Sequence, residues 1–323
     1  MRRRSVSIGL VTAALVTVLS CSGGTDPVPG GVGGPGDAGS GAAVPASPGT
    51  GPRSPSHPGG RTEVAADVVA AVSGRVAGSR VGLTVYDRAT ARTVAEHDPG
   101  GRYFTASVIK LAIATRVLRT AGWRPPPPGP ERERLVRMLA ASDDPVASEL
   151  WARYGGPAVV HRTVAEAGLR ATTPPAEPAE WELTVTTPRD LRILYTYVTD
   201  GIPDPAADLV LGALSGARTT AADGLDQSFG IRSALPDTET AVKQGWMRVD
   251  GELVLHTTGL VGADHRYVVV LLSRHPAGTD LTTAATALTE GVATLAPALT
   301  GIRPPPGSAG NDCPPGTRAE GPC

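Results

Sequence analysis

Strand-forming sequence occurs in two blocks separated by a long stretch of helix-forming sequence, and any fold must reconcile them. The first block, RVGLTVYDRATARTVAEHDPG, alternates apolar and polar residues and predicts two strands around a turn near Arg88 to Arg92. The second holds TAVKQGWMRV and ELVLHTTGLV on either side of Asp250-Gly251, a strong two-residue hairpin signal, followed by RYVVVLLSRH as a further strand. A helix over TEVAADVVAAVSGRVAG precedes the first block, and LTTAATALTEGVATLAPAL closes the second as another.

Between the blocks lie SVIKLAIATRVLRT, ERERLVRMLAAS, PVASELWARYG, GPAVVHRTVAEAGL, TPRDLRILYTYVTDG and DLVLGALSGA, with a proline-rich break at PPPPGP. Each has helical periodicity, and together they predict a helical subdomain inserted between two halves of a sheet. The expected order is helix, strands, helical insertion, strands, helix: an α/β part over 62–105 and 222–300 and an all-α part over 106–221.

Charge usage singles out two positions. Of the 30 Lys and Arg residues only Lys110 and Lys243 are lysine. Arginine stays protonated in proteins, whereas a lysine amine loses its proton when burial or a nearby cation lowers its pKa. A chain that writes arginine by default and lysine twice has a use for an amine at those two places.

Ser107 stands three residues before Lys110 at the start of a helix, so both side chains lie on one face. Val108, Ile109, Leu111, Ile113, Val117 and Leu118 make that helix apolar nearly all round, which predicts burial. A serine at a helix N-terminus also has free backbone N–H groups nearby, the physical basis of an oxyanion site. Lys243 lies on the first strand of the late hairpin in VKQGWM, where it is either a site residue or an edge-strand lysine that discourages aggregation. Gly245 beside it suggests close approach of a ligand to the backbone.

In this order the chain resembles the penicillin-binding-protein and serine β-lactamase superfamily, which carries S-x-x-K at the start of a buried helix, S-D-N or S-x-N in a helical subdomain, and K-T-G or K-S-G on a strand. The corresponding residues are Ser107-Val-Ile-Lys110, Ser142-Asp143-Asp144 and Lys243-Gln244-Gly245, with RSALP at 232–236 and TTP at 186–188 as further landmarks. The resemblance covers about residues 62–299. It implies a β-lactamase/transpeptidase-like fold, an antiparallel sheet flanked by helices with the helical subdomain inserted.

The resemblance also implies roles. Ser107 would attack a β-lactam or peptide carbonyl, and Lys110, neutral through burial and repulsion from Lys243, would be its base. The N–H groups of Ser107 and Trp246 would hold the oxyanion; Ser142 would relay a proton to the leaving nitrogen. Lys243 would attract a substrate carboxylate, with Asp144, Gln244, Gly245 and Trp246 as further substrate-binding positions.

Two departures bear on this chemistry. Asp144 replaces the family's asparagine, and its charge would raise the amine's pKa and slow acylation; directly before Pro145 it also reads as a helix N-cap. The E-x-x-L-N loop that supplies a deacylating glutamate has little room here, because Glu180-Trp-Glu-Leu183-Thr184 runs almost straight into TTP, so deacylation is expected to be weak. The alternative is a non-catalytic lipoprotein using this fold for binding or scaffolding.

The ends have other compositions. MRRRSVSIGLVTAALVTVLSC has the layout of a secretory leader, and its last residues resemble a bacterial lipoprotein cleavage box with Cys21 as the lipidated residue, the alternative being a plain leader. Residues 22–61 are rich in Gly, Pro, Ala and Ser and read as a flexible tether reaching about 35 Å. In the tail, 301–323, Cys313 and Cys323 could pair or remain free thiols. The expected location is the outer face of the cytoplasmic membrane, held by a lipid at Cys21.

Net charge is −1, with no basic field to suggest a nucleic-acid partner. The six histidines show no metal-ligand spacing and the cysteines lie in the leader and tail, so no zinc or other metal site is expected, nor a cofactor; the absence of a G-x-S-x-G elbow counts against an α/β-hydrolase. The expected partners are a β-lactam or peptidoglycan-related small molecule and the membrane, and the expected state is a monomer.

Overall fold

A computed structural model describes residues 58–299, with side chains from Thr62 onward. Helix α1 (Pro58–Arg75) leads into β1 (Arg80–Asp87), β2 (Arg92–His97) and a short β3 (Tyr103–Phe104). The helical section is α2 (Lys110–Thr120), α3 (Pro130–Ala140), α4 (Asp144–Arg153), α5 (Ala158–Ala167), α6 (Pro188–Thr196) and α7 (Asp204–Ser215), with β4 (Val185–Thr186) between α5 and α6. A short α8 (Ile231–Ala234) precedes β5 (Thr240–Val249), β6 (Glu252–Val261), β7 (Tyr267–His275) and α9 (Leu281–Ala293).

The two strand blocks form one antiparallel sheet in the order β2-β1-β7-β6-β5. Pairing of β1 with β7, Leu83 opposite Leu271, closes it across the helical insertion. β7 lies in the middle with both faces covered, which is why it reads as an almost unbroken apolar run. Val268, Val270 and Leu272 pack into the core built by the helical section, whereas Val269 and Leu271 join the core under α1 and α9. Each of these buried side chains contributes about 1.5–3 kcal/mol.

The hairpin turn falls where Asp250-Gly251 predicts it. Both residues have positive φ, 50° and 81°, and Val249 pairs with Glu252. Such a turn follows the right-handed twist of its strands, and glycine accepts its φ without a Cβ penalty.

Three features differ from the sequence reading. α1 begins at Pro58, so residues 58–61, expected to belong to the tether, are helical; a proline is already preset for a first turn. The β3–β4 ribbon and α8 are too short to leave a periodic signal. Ser107 enters α2 through a 3₁₀ turn, Ala106–Ile109. Among the described residues no helix is long and apolar enough to cross a membrane. Cys21, Cys313 and Cys323 lie outside the described residues.

Candidate active site

The turn that carries Ser107 is tied to two distant segments. Thr105 N–H donates to Thr184 O at 2.7 Å, and the His256 ring, on β6, reaches Phe104 O through Nε2 at 2.7 Å. Ala106 has φ 44°, a left-handed conformation that costs a non-glycine residue about 1–2 kcal/mol and persists where surroundings enforce it. Ser107 follows, 5% exposed, and α2 continues into the apolar interior with Lys110, Leu111 and Ile113 at 0%.

Lys110 Nζ is the hub of the cluster. It lies 2.8 Å from Ser107 Oγ, 2.8 Å from Ser142 O and 3.1 Å from Ser142 Oγ, and it pairs with Asp144 Oδ1. Ser142, between α3 and α4, also has a positive φ, 54°. Its carbonyl and hydroxyl both face the amine. Lys243, from β5, donates to the same Ser142 Oγ at 2.9 Å and to Gln244 O at 2.9 Å. Its backbone is held in turn by Thr258 Oγ1, which donates to Lys243 O at 2.6 Å and contacts Tyr195 Oη at 2.8 Å. The two amines therefore meet at Ser142, and Lys243 is linked to Ser107 through Ser142 and Lys110.

Burial sets the protonation of both amines. It lowers the Lys110 pKa, an effect opposed by the carboxylates of Asp144, Asp143 and Asp223. Lys243 lies well below the usual lysine value, first through burial and then through repulsion from Lys110. The repulsion between the two amines is mutual, and together with burial it disfavours both carrying a charge at once. Four oxygens surround Lys110 Nζ, one more than an ammonium has protons. A neutral amine donates two hydrogens and keeps a lone pair that can accept the Ser107 hydroxyl proton.

Asp144 takes the role its charge predicts and not the helix-capping one. The N-cap of α4 is Asp143, whose extended backbone lets its carboxylate accept from Val146 N–H at 2.9 Å while its other oxygen pairs with Arg137 Nε at 2.8 Å. Asp144 is the first helical residue, which leaves its carboxylate to Lys110.

The remaining expected positions divide. A Cβ on Gly245 would come within 3.0 Å of Thr105 O and Val108 Cγ2, so the close approach is that of the protein's own turn carrying Ser107, where a ligand was expected. Gln244 is buried and turns toward the loop before α8; its amide donates to Phe229 O at 2.6 Å and Gln227 O at 3.3 Å. Its Oε1 has no hydrogen-bond partner among the described residues. The half-buried Trp246 donates through Nε1 to Asp223 Oδ2 at 2.9 Å, its ring 5.8 Å from Lys243 Nζ.

Three contributors escaped the sequence reading: His256, Asp223 and Trp181. The indole of Trp181 lies 4.9 Å from Lys110 Nζ and is fixed by its Nε1 bond to Ser148 Oγ at 3.0 Å. Glu180 beside it is exposed. Nothing in local spacing marks these residues, although His256 stands opposite Gly245 once the hairpin register is known.

No protein-family model matches the chain. The protein named "Putative lipoprotein LppW" in Mycobacterium tuberculosis is 35% identical over 242 residues, 73% of this chain and 74% of that protein, and its Mycobacterium bovis counterpart gives the same figures. The chain belongs to the LppW family. Its fold matches the β-lactamase of Sphaerobacter thermophilus with a TM-score of 0.58 at 19% identity, over 72% of this chain and 97% of that one. The class A β-lactamase of Mycobacterium abscessus gives a TM-score of 0.59 at 17% identity, again over 72% and 97%. The expected fold class, an antiparallel sheet flanked by helices with an inserted helical subdomain, is borne out by these neighbours.

Proposed function

We propose that this β-lactamase-like family member forms an acyl-enzyme on Ser107 with β-lactam or peptide carbonyls and releases it slowly. The observation that carries the reading is the contact of the buried Lys110 amine with Ser107 Oγ at 2.8 Å, with Ser142 Oγ bridging that amine to Lys243.

As neutral amine, Lys110 takes the Ser107 proton while Oγ attacks the carbonyl carbon. The N–H groups of Ser107 and Trp246 receive the oxyanion. Collapse breaks the C–N bond, and Ser142 passes a proton to the leaving nitrogen. Slow release is supported by the surroundings of Lys110: the Trp181 indole lies over it, and the neighbouring Asp144 carboxylate is engaged by that same amine through a hydrogen bond. Anchoring at the outer face of the membrane through Cys21 is part of the same proposal, supported by the leader sequence and by the name of the relatives.

Intact-mass measurement after exposure to a penicillin and, separately, to a fluorophosphonate tests it. A Ser107 adduct that is absent in Ser107→Ala is expected. Absence of any adduct at high probe concentration rejects the acyl-enzyme and favours the binding-module reading, for which the Lys110–Asp144 pair is the supporting observation.

A further inference from the structure

The charges around Ser107 carry a second conclusion, which rests on Ser107 being the acyl acceptor. Apart from Lys110 acting on Lys243, the largest charge effects on the two amines come from Asp144, Asp143 and Asp223. Asp143 is engaged by Arg137, which leaves Asp144 and Asp223. The Asp144 side chain is 56% exposed although its Lys110 partner is at 0%, and its second oxygen takes no hydrogen bond from the described residues.

Asp223 stands beside the same cluster. The bond from Ala222 N–H to Ala141 O, 2.7 Å, lays its loop alongside Ser142. The bond from Trp246 Nε1, 2.9 Å, sets the Asp223 carboxylate next to β5 at the position expected to supply an oxyanion N–H. Asp223 remains exposed. The residues that could welcome a substrate carboxylate are otherwise occupied: Lys110 is paired with Asp144, the buried Lys243 amine is bonded to Ser142 and Gln244 O, and the Gln244 amide is turned to Gln227 and Phe229.

We propose that Ser107 selects acyl donors bearing a cationic group, an ammonium or its methylated equivalent, next to the scissile bond, held at the site mouth between Asp144 and Asp223, and that donors with a carboxylate there are disfavoured. With Lys110 in the neutral state that acylation uses, no amine charge offsets Asp144, so a substrate carboxylate would meet two like charges across a partly exposed rim, whereas a cation meets two opposite ones.

Three thioesters of one acyl group test this, with thiocholine, 2-mercaptoethanol and 3-mercaptopropionate as cationic, neutral and anionic leaving thiols. In each, the Ser107 Oγ–carbon bond forms, the carbon–sulfur bond breaks, and the thiol leaves with the serine's proton. Single-turnover thiol release and intact mass of the Ser107 adduct are the readouts. The cationic member is expected to react at least about tenfold faster than the anionic one at low salt, with the ratio shrinking as salt rises.

Asp144→Asn and Asp223→Asn are each expected to lower that ratio. Because the ratio is taken within one enzyme, a change in the strength of Lys110 as a base, or in the folded fraction, cancels. Acylation of Ser107 with a ratio at or below one, or a ratio unchanged in both variants, overturns the charge preference and leaves the acyl-enzyme standing. No adduct with any of the three rejects both.

Discussion

His256 makes the stability of the fold depend on pH in a way that can be calculated. Its Nδ1 accepts from Ser273 N–H at 3.1 Å, so the ring proton sits on Nε2 and is given to Phe104 O at 2.7 Å. A second proton on Nδ1 would face the Ser273 N–H inside a fully buried site. Burial is the main reason its pKa falls from 6.5 to about 4, with a smaller push from nearby His275, and it outweighs the hydrogen bond to Phe104 O, which favours the charged ring. Between these values the unfolded chain binds a proton that the native state refuses, so stability falls as pH falls. The contribution is complete above pH 6.5 and is lost on the way down to about 4; the whole interval is worth about 3 kcal/mol. His275, also held at about 4 by burial, adds a second dependence of the same sign.

Urea unfolding followed by circular dichroism from pH 7.5 to 4.5 measures the slope. His256→Gln keeps a donor and an acceptor but does not titrate, so it is expected to be less stable than the parent at pH 7 yet to lose clearly less stability on acidification. The portion left is that of His275 and of the carboxylates. If parent and variant lose stability in parallel over this range, the assignment of the buried neutral imidazole is wrong.

Three further outcomes are expected. Asp144→Asn removes the carboxylate that opposes the fall in the Lys110 pKa and should speed acylation by the neutral 2-mercaptoethanol thioester about threefold or more in stopped-flow traces; no gain contradicts the account of the Asp for Asn change. Lys243→Met exchanges a buried amine for an apolar chain of similar length and should raise stability by about 1 kcal/mol while abolishing the Ser107 adduct, the trade expected where a site carries a desolvation penalty. Gly245→Ala should cost about 1–3 kcal/mol in urea unfolding and slow acylation, because its Cβ meets Thr105 O and Val108 Cγ2 at 3.0 Å and must push back the turn that holds Ser107.

Much of the architecture was legible along the chain because secondary structure is a local, periodic choice. Alternation placed β1 and β2, the Asp250-Gly251 pair set the late hairpin, and RYVVVLLSRH gave β7 as a further strand, whose cover on both faces only the packing shows. The rarity of lysine singled out Lys110 and Lys243, and three-residue spacing put Ser107 beside the first. Misreadings arose where local signals were ambiguous: adjacent aspartates 143 and 144 can each cap α4, and only the backbone shows that Asp143 does.

What the tertiary structure alone decided is the electrostatic state of the cluster. Whether an amine keeps its proton depends on what surrounds it, and those neighbours arrive from remote parts of the chain: Ser142 and Asp144 on Lys110, Trp181 over it, Asp223 beside Trp246, His256 behind the Ser107 turn. Sequence determined that two amines and a serine stand on elements able to meet. Packing of those elements decided that they meet around Ser142, because desolvation and charge act through space and carry no trace in local spacing.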